Sequence, residues 1–592
     1  MTPSSVDASS PAVPAATRRL PGWLGWLLLV VALAAVVTGI GMRDPSPPDE
    51  PRFVLAARTM IETGQWLVPH RGSEIYAEKP PPFMWALALS YGVVRDWRVA
   101  FLLPSVLAAL ATLWLVFDLG RRLWSPRVGV YAAAALFACL QFGLQAKRAQ
   151  IDMVLVALTT LAMWGLLRHL LRGPAWGALA VAGFAAGLGT VTKGVGFLPL
   201  LVLLPWLATS RFASPRVTAA APVSRWRWGL LALGFLAGAA VWLGPLAVAL
   251  LASNDPALPD YARHLLFRQT AVRYADSWHH VKPAWYYLEV IATMWLPLAL
   301  LLPWLIVGWW QRLRGRERAL WLLLGWVVLV LLFFSASPGK RGVYLFPALP
   351  ALCLAAAPLL PALLERRGVQ RVLAAWILLL SLLLGGLGAA GLAGAVPRLP
   401  EIVAERALDP ATVASLLGWL LAMGAGGLLL GIVALARRRH AGPATLAFSA
   451  VLWFGMGLGI GPALDASGSA RGLMSAVGAR IGSDAELGLV AWREQQLLQA
   501  DRAAVDFGFR RPWHEQWREA QSWVAGDPGR RWIFVLDEAM SPCADAAQAI
   551  PIGRANRRDW LLLPGTALRT GCVTPPLADE TGEAGDPDGD DA

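Results

Sequence analysis

The sequence predicts a polytopic α-helical membrane protein that carries a small α/β domain near its C-terminus. Apolar residues make up 56% of the 592 residues and charged residues only 15%, and the mean hydropathy is +0.52. Soluble globular chains contain about 25% charged residues, and disordered chains combine low hydrophobicity with high charge. The composition therefore excludes both classes and favours a chain with many membrane spans.

The net charge of +13 does not indicate nucleic-acid binding, because the arginines form short clusters between apolar runs. Such clusters are typical of cytoplasmic loops. With the N-terminus placed in the cytoplasm, every second loop is basic, which predicts an odd number of spans. The expected cytoplasmic clusters are Arg121, Arg122 and Arg127; Arg168 and Arg172; Arg211, Arg216, Arg225 and Arg227; Arg312, Arg314, Arg316 and Arg318; Arg366, Arg367 and Arg371; and Arg437, Arg438 and Arg439.

The chain has about 13 apolar runs of spanning length. The first follows Arg18 and Arg19 and lacks a convincing cleavage site, so it is interpreted as a retained signal anchor. Short breaks near 150, 192 and 338 could change the count by one or two. The predicted spans are 23–40, 99–119, 128–146, 151–171, 175–191, 194–209, 228–251, 286–308, 319–335, 343–363, 371–395, 411–436 and 443–464.

Four further segments complete the predicted organisation. We expect residues 1–19 to form a disordered cytoplasmic N-terminus, 20–465 to form the transmembrane domain and 579–592 to form an acidic disordered tail. Between them, 470–578 is expected to be a periplasmic α/β domain. Its short apolar runs 487–491, 532–536 and 560–563 predict strands. In an oxidising compartment Cys543 and Cys572 could form a disulfide.

The longest loop between adjacent predicted spans, 42–98, contains the first candidate catalytic residue and is expected to hold amphipathic helices. Asp49 precedes Glu50, Pro51 and Arg52, and the apolar stripe Phe53, Ala57, Met60 and Ile61 predicts a helix that ends at Gly64. We expect this helix to lie along the membrane surface. By itself Asp49 would be explained as a helix N-cap.

The same loop continues with Glu78 and Lys79, followed by three prolines. Proline stiffens the backbone, so a carboxylate and an ammonium group would be held in fixed places at the membrane surface. A solvated ion pair is the alternative. A lysine at headgroup level is also a natural phosphate ligand.

Other cations lie on the predicted outer face, against the positive-inside trend. Arg148 and Asp152 are spaced to share one helix face beside Lys147. Lys193 is a lone cation in an apolar hairpin, where snorkelling is the alternative explanation. A further loop adds Lys340 and Arg341. Cations in several outer loops indicate a polyanion site, most simply for phosphate.

The outer loop 252–285 adds histidines and tryptophans, which structural and interfacial roles could also explain. His264 could join Glu78 in a divalent metal site. The remaining polar residues of interest in the loop are Arg268, Arg273, His279 and His280, beside Trp278 and Trp285.

Carboxylates and cations at an outer membrane face suggest glycosyl transfer from a lipid-linked phosphosugar. Cations would stabilise the charge that develops on the leaving phosphate, and a carboxylate would activate or orient the acceptor. The sequence contains no Walker or Rossmann motif, so no nucleotide cofactor is expected. A transporter or flippase for an anionic lipid is the alternative from another class, but it should show paired internal repeats, and none is clear.

Several ordered motifs resemble the bacterial aminoarabinose transferase family, which is related to the protein O-mannosyltransferases. The resemblance covers roughly residues 20–365, with a proline at position 51 where a threonine is expected. The motifs are Asp49-Glu50-x-Arg52, Gly64-Gln-Trp-Leu-Val-Pro-His70, Tyr76-x-Glu-Lys-Pro-Pro81, the segment 147–152 and Ser337-x-x-Lys-Arg-x-x-Tyr344.

This resemblance implies the GT-C fold, a polyprenyl-phosphate sugar donor and an inverting transfer at the periplasmic face of the bacterial inner membrane. It implies a catalytic role for Asp49, with Glu78 and Asp152 lining the same cavity. It also implies phosphate-side roles for Arg52, Lys79, Lys193 and Tyr344. We add Lys340 and Arg341 to the predicted phosphate site. The resemblance further implies a metal-adjacent position for His264. Well-known members add 4-amino-4-deoxy-L-arabinose to lipid A phosphates and give polymyxin resistance. The acceptor could instead be a hydroxyl of a protein or glycan. We expect a monomer.

Overall fold

The computed structural model describes residues 22–209, 225–266, 281–437, 439–555 and 557–577. Both segments predicted to be disordered, 1–19 and 579–592, lie outside these ranges. Several predicted polar residues also lie outside them, namely Arg211, Arg216, Arg268, Arg273, Trp278, His279, His280 and Arg438.

The described part of the chain up to residue 468 is helical apart from one small hairpin. Its helices are Gly22–Val37, Glu50–Thr63, Pro82–Val94, Trp97–Ala100, Leu103–Leu123, Pro126–Ala138, Leu140–Ala146, Ile151–Arg172, Trp176–Lys193, Leu198–Val202, Leu203–Thr209, Arg225–Trp228, Gly229–Ala252, Ala257–Arg263, Tyr286–Met294, Leu298–Leu301, Leu302–Arg314, Arg318–Ala336, Gly342–Ala348, Leu349–Ala356, Leu360–Leu363, Arg367–Leu392, Leu399–Glu405, Pro410–Ala436, Ala441–Phe454, Gly455–Ile460, Gly461–Ala463 and Asp465–Gly468.

Within the described ranges, 7 helices are long and apolar enough to cross a membrane, or up to 9 if each of two bent pairs is one span. The predicted count of 13 is therefore not confirmed. Four predicted runs, 128–146, 194–209, 286–308 and 343–363, are bent pairs or short apolar helices. In the last of them, Pro347 and Pro350 interrupt helical hydrogen bonding. The predicted run 23–40 is a helix of 16 residues, Gly22–Val37.

The two bent helix pairs meet at their breaks. The first pair bends by 72° between Pro126–Ala138 and Leu140–Ala146, and the second bends by 103° after Tyr286–Met294. The backbone N–H of Leu140 donates to the Leu296 carbonyl oxygen at 3.0 Å, and the indole N–H of Trp295 donates to Gln141 Oε1 at 2.7 Å. Interrupted helices inside a membrane domain need such partners for their backbone polar groups.

Close backbone packing joins the helices Trp176–Lys193 and Gly229–Ala252. A Cβ atom built at Gly183 or Gly187 would lie 2.1 or 2.0 Å from a carbonyl oxygen of the opposing helix, and Gly234 and Gly238 are equally confined from the other side. Both helices therefore carry glycines four residues apart at their contact. This is the small-residue spacing that lets membrane helices approach closely.

The predicted helix of the first outer loop is present as Glu50–Thr63. It ends where Gly64 adopts a left-handed conformation with φ of 72°, as expected for a glycine C-cap. Its apolar stripe does not project outward to a lipid surface, because Phe53, Ala57 and Met60 are buried. Phe53 packs edge-to-face on Phe83 of the next helix, Pro82–Val94, with centroids 5.3 Å apart. The stripe therefore packs inside the protein, and the position of the helix along a membrane surface stays a prediction.

The described part of the C-terminal domain has an α/β fold, as predicted. The strands of the described chain are β1 (His70–Arg71), β2 (Glu74–Ile75), β3 (Glu486–Val490), β4 (Ala504–Asp506), β5 (Arg531–Leu536), β6 (Ile550–Ala555) and β7 (Arg558–Pro564). The last five form one mixed sheet in the order β4-β3-β5-β7-β6, in which β3 is parallel to both β4 and β5. The domain's helices are Arg471–Ile481, Glu494–Gln499, Trp513–Ala525, Asp537–Ala539, Ala546–Gln548 and Gly565–Ala567.

The three predicted strands are confirmed as β3, β5 and β7, with ends that differ by one or two residues. Strands β4 and β6 lack long apolar runs and were not predicted. The expected disulfide between Cys543 and Cys572 is present, with Cα atoms 5.6 Å apart. It closes a loop across the end of the domain.

Candidate functional site

Asp49 stands at the N-terminus of Glu50–Thr63, but its side chain does not cap that helix. Its Oδ2 accepts a hydrogen bond of 2.8 Å from the side-chain amide of Gln150. Its Oδ1 lies 3.8 Å from Nη1 of Arg52. Gln150 comes from a segment that is 101 residues away in sequence, whereas Arg52 lies one turn along the same helix. The capping explanation for Asp49 is therefore wrong, and its carboxylate is directed toward other charged groups.

Beside Asp49 lies a set of five side chains that we call the arginine–carboxylate cluster. It consists of Arg52, Arg71, Glu78, Glu494 and Arg510. Glu78 is 3.7 Å from Arg52, is 3.6 Å from Arg71 and forms an ion pair with Arg510. Glu494 is 3.4 Å from Arg52 and 3.1 Å from Arg71. The structure thus brings the predicted residues Asp49, Arg52 and Glu78 together.

Sequence reasoning missed Arg71, Glu494 and Arg510, and the last two belong to the C-terminal domain. Glu494 follows the carboxyl end of β3, and Arg510 follows the carboxyl end of β4. Ligand-binding residues in open α/β sheets commonly lie beyond the carboxyl ends of parallel strands. The two strands are parallel neighbours, so that rule could have identified both residues if β4 had been recognised.

The hairpin β1–β2 attaches the loop 42–98 to the C-terminal domain. Asp506 at the end of β4 accepts hydrogen bonds from the Ser73 backbone N–H at 3.0 Å and from the Ser73 hydroxyl at 2.6 Å. Gly72 has φ of +62°, and a Cβ atom there would lie 2.7 Å from Asp506 Oδ2. The guanidinium of Arg71 stacks on Phe509 at 3.6 Å from the ring centroid. These contacts fix Arg71 beside Glu78.

Opposing effects set the pKa values of the acidic groups here. Burial by itself would raise the pKa of Glu78, but the positive charges of Arg71, Arg52, Arg510 and Lys79 outweigh it and lower that pKa below its usual range. Glu78 is therefore ionised at neutral pH, and Lys79 contributes to its positive surroundings. By contrast, burial raises the pKa of Asp506, and the negative charge of Glu74 acts in the same direction.

A second ion pair lies two residues along the chain from Gln150. Lys193 Nζ is 2.5 Å from Asp152 Oδ1 and lies 5.5 Å from the ring centroid of Tyr344. Lys193 is mostly buried, with a side-chain exposure of 17%. The structure thus brings together three predicted residues and replaces the snorkelling explanation for Lys193 with a specific carboxylate partner.

Lys147 and Arg148 have different surroundings from those predicted. The ammonium group of Lys147 donates to the carbonyl oxygens of Ala35 and Thr38 at 2.6 and 2.5 Å, so it satisfies the C-terminus of Gly22–Val37. Arg148 is exposed and precedes the helix Ile151–Arg172 rather than sharing it with Asp152. The predicted helical pair of Arg148 and Asp152 is therefore wrong, because the helix begins three residues later.

Lys340 is buried, and its ammonium group donates to the carbonyl oxygens of Ser337 and Lys282 at 2.6 and 3.0 Å. It stabilises its own loop against the segment that precedes Tyr286–Met294. Arg341 directly precedes Gly342–Ala348, the short helix that contains Tyr344. Phosphate-side roles for Lys340 and Arg341 stay predictions.

The described residues do not fit the predicted divalent metal site at Glu78 and His264. Glu78 already faces the guanidinium groups of Arg52, Arg71 and Arg510, which would repel a cation. Among the residues that the structure describes, no group of three His, Cys, Asp or Glu side chains is placed to hold a metal ion. No chemical step is therefore assigned to a metal here.

Comparison with known proteins finds sequence similarity over part of the chain, including segments of the membrane domain. Residues 78–243 match the dolichyl-phosphate-mannose-protein mannosyltransferase family. The chain is 31% identical over 318 residues to undecaprenyl phosphate-alpha-4-amino-4-deoxy-L-arabinose arabinosyl transferase 1 of Pseudomonas fluorescens, covering 52% of each chain. It is 32% identical over 349 residues to the corresponding transferase of Edwardsiella ictaluri, covering 57% of this chain and 59% of that one. The chain thus spans little more than half the length of these relatives.

The fold extends further than the sequence similarity. The crystal structure of ArnT from Cupriavidus metallidurans in the apo state superposes with a TM-score of 0.68 at 19% identity, covering 93% of this chain and 99% of that one. The form bound to undecaprenyl phosphate gives a TM-score of 0.67, also at 19% identity, covering 91% and 98%. Together, the family match, the sequence relatives and the shared GT-C fold confirm the chain's resemblance to the aminoarabinose transferases.

Proposed function

We propose that the chain is an integral-membrane inverting glycosyltransferase. It moves a sugar, with 4-amino-4-deoxy-L-arabinose as the first candidate, from a polyprenyl-phosphate donor to lipid A or another envelope acceptor. The observation that carries the proposal is the Asp49 carboxylate, which is not used as a helix cap and is held by Gln150 beside Arg52. The names of the sequence relatives support this choice of donor and sugar.

In the proposed reaction, an acceptor oxygen forms a bond to the anomeric carbon as the bond from that carbon to the donor phosphate oxygen breaks. The leaving group is polyprenyl phosphate, and nearby cations stabilise its developing charge. Arg52, Lys79 and Lys193 are the proposed cations, and Tyr344 lies within reach of Lys193. Asp152 would then share Lys193 with the phosphate.

The role of Asp49 depends on the acceptor. A phosphate acceptor is already ionised near neutral pH, so Asp49 would orient groups rather than remove a proton. A hydroxyl acceptor on a protein or glycan needs a general base, and Asp49 would then accept its proton. No step of the proposed reaction depends on a divalent metal.

We further propose 13 spans, a cytoplasmic N-terminus, and an active site and C-terminal domain in the periplasm of a monomer in the bacterial inner membrane. Two observations support this orientation. Basic clusters alternate along the sequence, and the disulfide between Cys543 and Cys572 suits an oxidising compartment. Reporter fusions after each predicted span test the topology. If a reporter that works only in the cytoplasm is active when it is fused after residue 577, the proposed topology is wrong.

Mass spectrometry of lipid A tests the proposed activity. The strains are wild type, a deletion, Asp49→Asn and Asp409→Asn, all grown where the donor is made. Asp409→Asn is the matched control, because Asp409 caps the exposed start of Pro410–Ala436 through Thr412, and asparagine caps equally well. Loss of an aminopentose mass in the deletion and Asp49→Asn strains alone supports the proposal.

Unchanged lipid A in the deletion strain, with the donor present, excludes lipid A as the acceptor. Loss of a sugar from a glycoprotein or other glycan would then assign the hydroxyl acceptor. If no glycan changes while an anionic lipid accumulates on one side of the membrane, the transporter alternative replaces the glycosyltransferase.

A further inference from the structure

The arginine–carboxylate cluster contains more positive than negative groups. Four of its members, Arg52, Arg71, Glu78 and Glu494, are at most 8% exposed and pair two cations with two carboxylates. Arg510 is the fifth member, and its side chain is 40% exposed. The four buried groups compensate one another, so removing Arg510 from Glu78 leaves no buried ion without a partner.

The backbone of Arg510 is fixed although its side chain is accessible. Its N–H donates to Glu74 Oε2 at 3.1 Å, and the preceding residue, Phe509, stacks on the buried guanidinium of Arg71. The side chain can therefore change partner by rotation about its own bonds while the C-terminal domain stays attached. A side chain held in this way costs little to redirect toward an incoming anion.

We propose that Arg510 is a positioning residue that binds the anionic group of the acceptor, most simply a lipid phosphate, by exchanging Glu78 for that anion. This inference rests on the proposed function and names the acceptor side of the same site. A guanidinium binds phosphate through two parallel hydrogen bonds. Without the anion, the same group pairs with Glu78.

The position of Arg510 favours the acceptor over the donor. The donor phosphate is attached to a polyprenyl chain within the bilayer, where Lys193 lies at the end of the membrane-domain helix Trp176–Lys193. Arg510 belongs to the sheet domain that follows the last candidate span, Ala441–Ala463. It therefore reaches the cluster from the C-terminal domain and not from a membrane-spanning helix.

Equilibrium binding to the full chain in nanodiscs tests the assignment with three probes: lipid A, dephosphorylated lipid A and undecaprenyl phosphate. Arg510→Ala should weaken lipid A binding by about 10- to 100-fold, as expected for a lost charged hydrogen bond. It should leave undecaprenyl phosphate binding unchanged, and Arg510→Lys should recover part of the loss. In steady-state kinetics, the KM for lipid A should rise while kcat changes little.

Two control variants separate binding from general damage. Arg511→Ala removes the neighbouring arginine, which pairs with Glu519 on the exposed surface. Ser73→Ala removes the hydroxyl hydrogen bond to Asp506 but keeps the backbone N–H bond that also attaches the hairpin. Both should bind lipid A as the wild-type chain does.

Three results would overturn the assignment. They are equal wild-type affinity for phosphorylated and dephosphorylated lipid A, a loss of undecaprenyl phosphate binding in Arg510→Ala, and an equal loss of lipid A binding in Ser73→Ala. A wild-type chain that binds phosphorylated lipid A through Arg510 but transfers no sugar contradicts the proposed function and leaves the binding site intact.

Discussion

Replacing Glu494 by glutamine should loosen the attachment of the C-terminal domain to the first outer loop. Glu494 Oε1 lies 3.1 Å from Arg71 and 3.4 Å from Arg52. At an effective dielectric constant of about 20, each attraction is about 5 kcal/mol before the cost of removing the charges from water. Breaking a buried pair costs about 3–5 kcal/mol net, and the glutamine oxygen recovers about 1 kcal/mol as a hydrogen-bond acceptor.

The expected loss for Glu494→Gln is thus about 3 kcal/mol of local stability, which corresponds to roughly 100-fold faster amide exchange. Hydrogen exchange of the hairpin β1–β2 measures it, because Arg71 belongs to that hairpin. Glu519→Gln is the control, since its pair with Arg511 is exposed and should contribute less than about 1 kcal/mol. Wild-type exchange rates in Glu494→Gln would refute the view that the buried ion pairs hold the two parts together.

Three further predictions concern packing, pH and metal. Gly187→Leu should abolish accumulation of folded protein, because its Cβ would lie 2.0 Å from a backbone oxygen, whereas Gly177→Leu has open space and should purify normally by size exclusion. Burial alone would raise the pKa of Glu78, but the guanidinium groups, Arg71 foremost, outweigh it and lower that pKa. The ionised Glu78 should therefore stabilise the folded protein fully above pH 4.5, and this stabilisation should be lost as the pH falls through the lower folded-state pKa. If hydrogen exchange of the hairpin depends on acid to the same extent in Glu78→Gln, the prediction is wrong. Chelation of divalent metals should leave transfer activity unchanged, and His264→Ala should be as active as the wild-type chain; assays in mixed micelles measure both. A loss of activity on chelation that an added metal restores would contradict this prediction.

Composition and charge pattern were enough to predict a helical membrane domain followed by an α/β domain. Long apolar runs such as Arg367–Leu392 and Pro410–Ala436 are continuous helices, as expected. The number of spans was less predictable, because hydropathy does not show where a helix bends. The break beside Leu140 is stabilised by a hydrogen bond to Leu296, a partner more than 150 residues away.

The candidate site was predicted only in part, because some of its contacts join residues that are distant in sequence. Asp49, Arg52 and Glu78 lie in one loop whose motifs are visible in the sequence, and the structure places them together. The pairing of Asp152 with Lys193 also joins two predicted residues. The prediction failed for Lys147, because a buried ammonium group can be satisfied by carbonyl oxygens at a helix end that lies far away in sequence.

The sequence by itself determined the class of protein, the first outer loop and the residue types suited to a phosphosugar. Those properties follow from local composition and from spacing along the chain. Only the tertiary structure decided that Glu494 and Arg510 complete the charge cluster around Glu78. Ionic contacts depend on distance in space, and these two residues lie more than 400 positions from their partners. Their ionic role arises when two parallel strands end beside the hairpin of the outer loop.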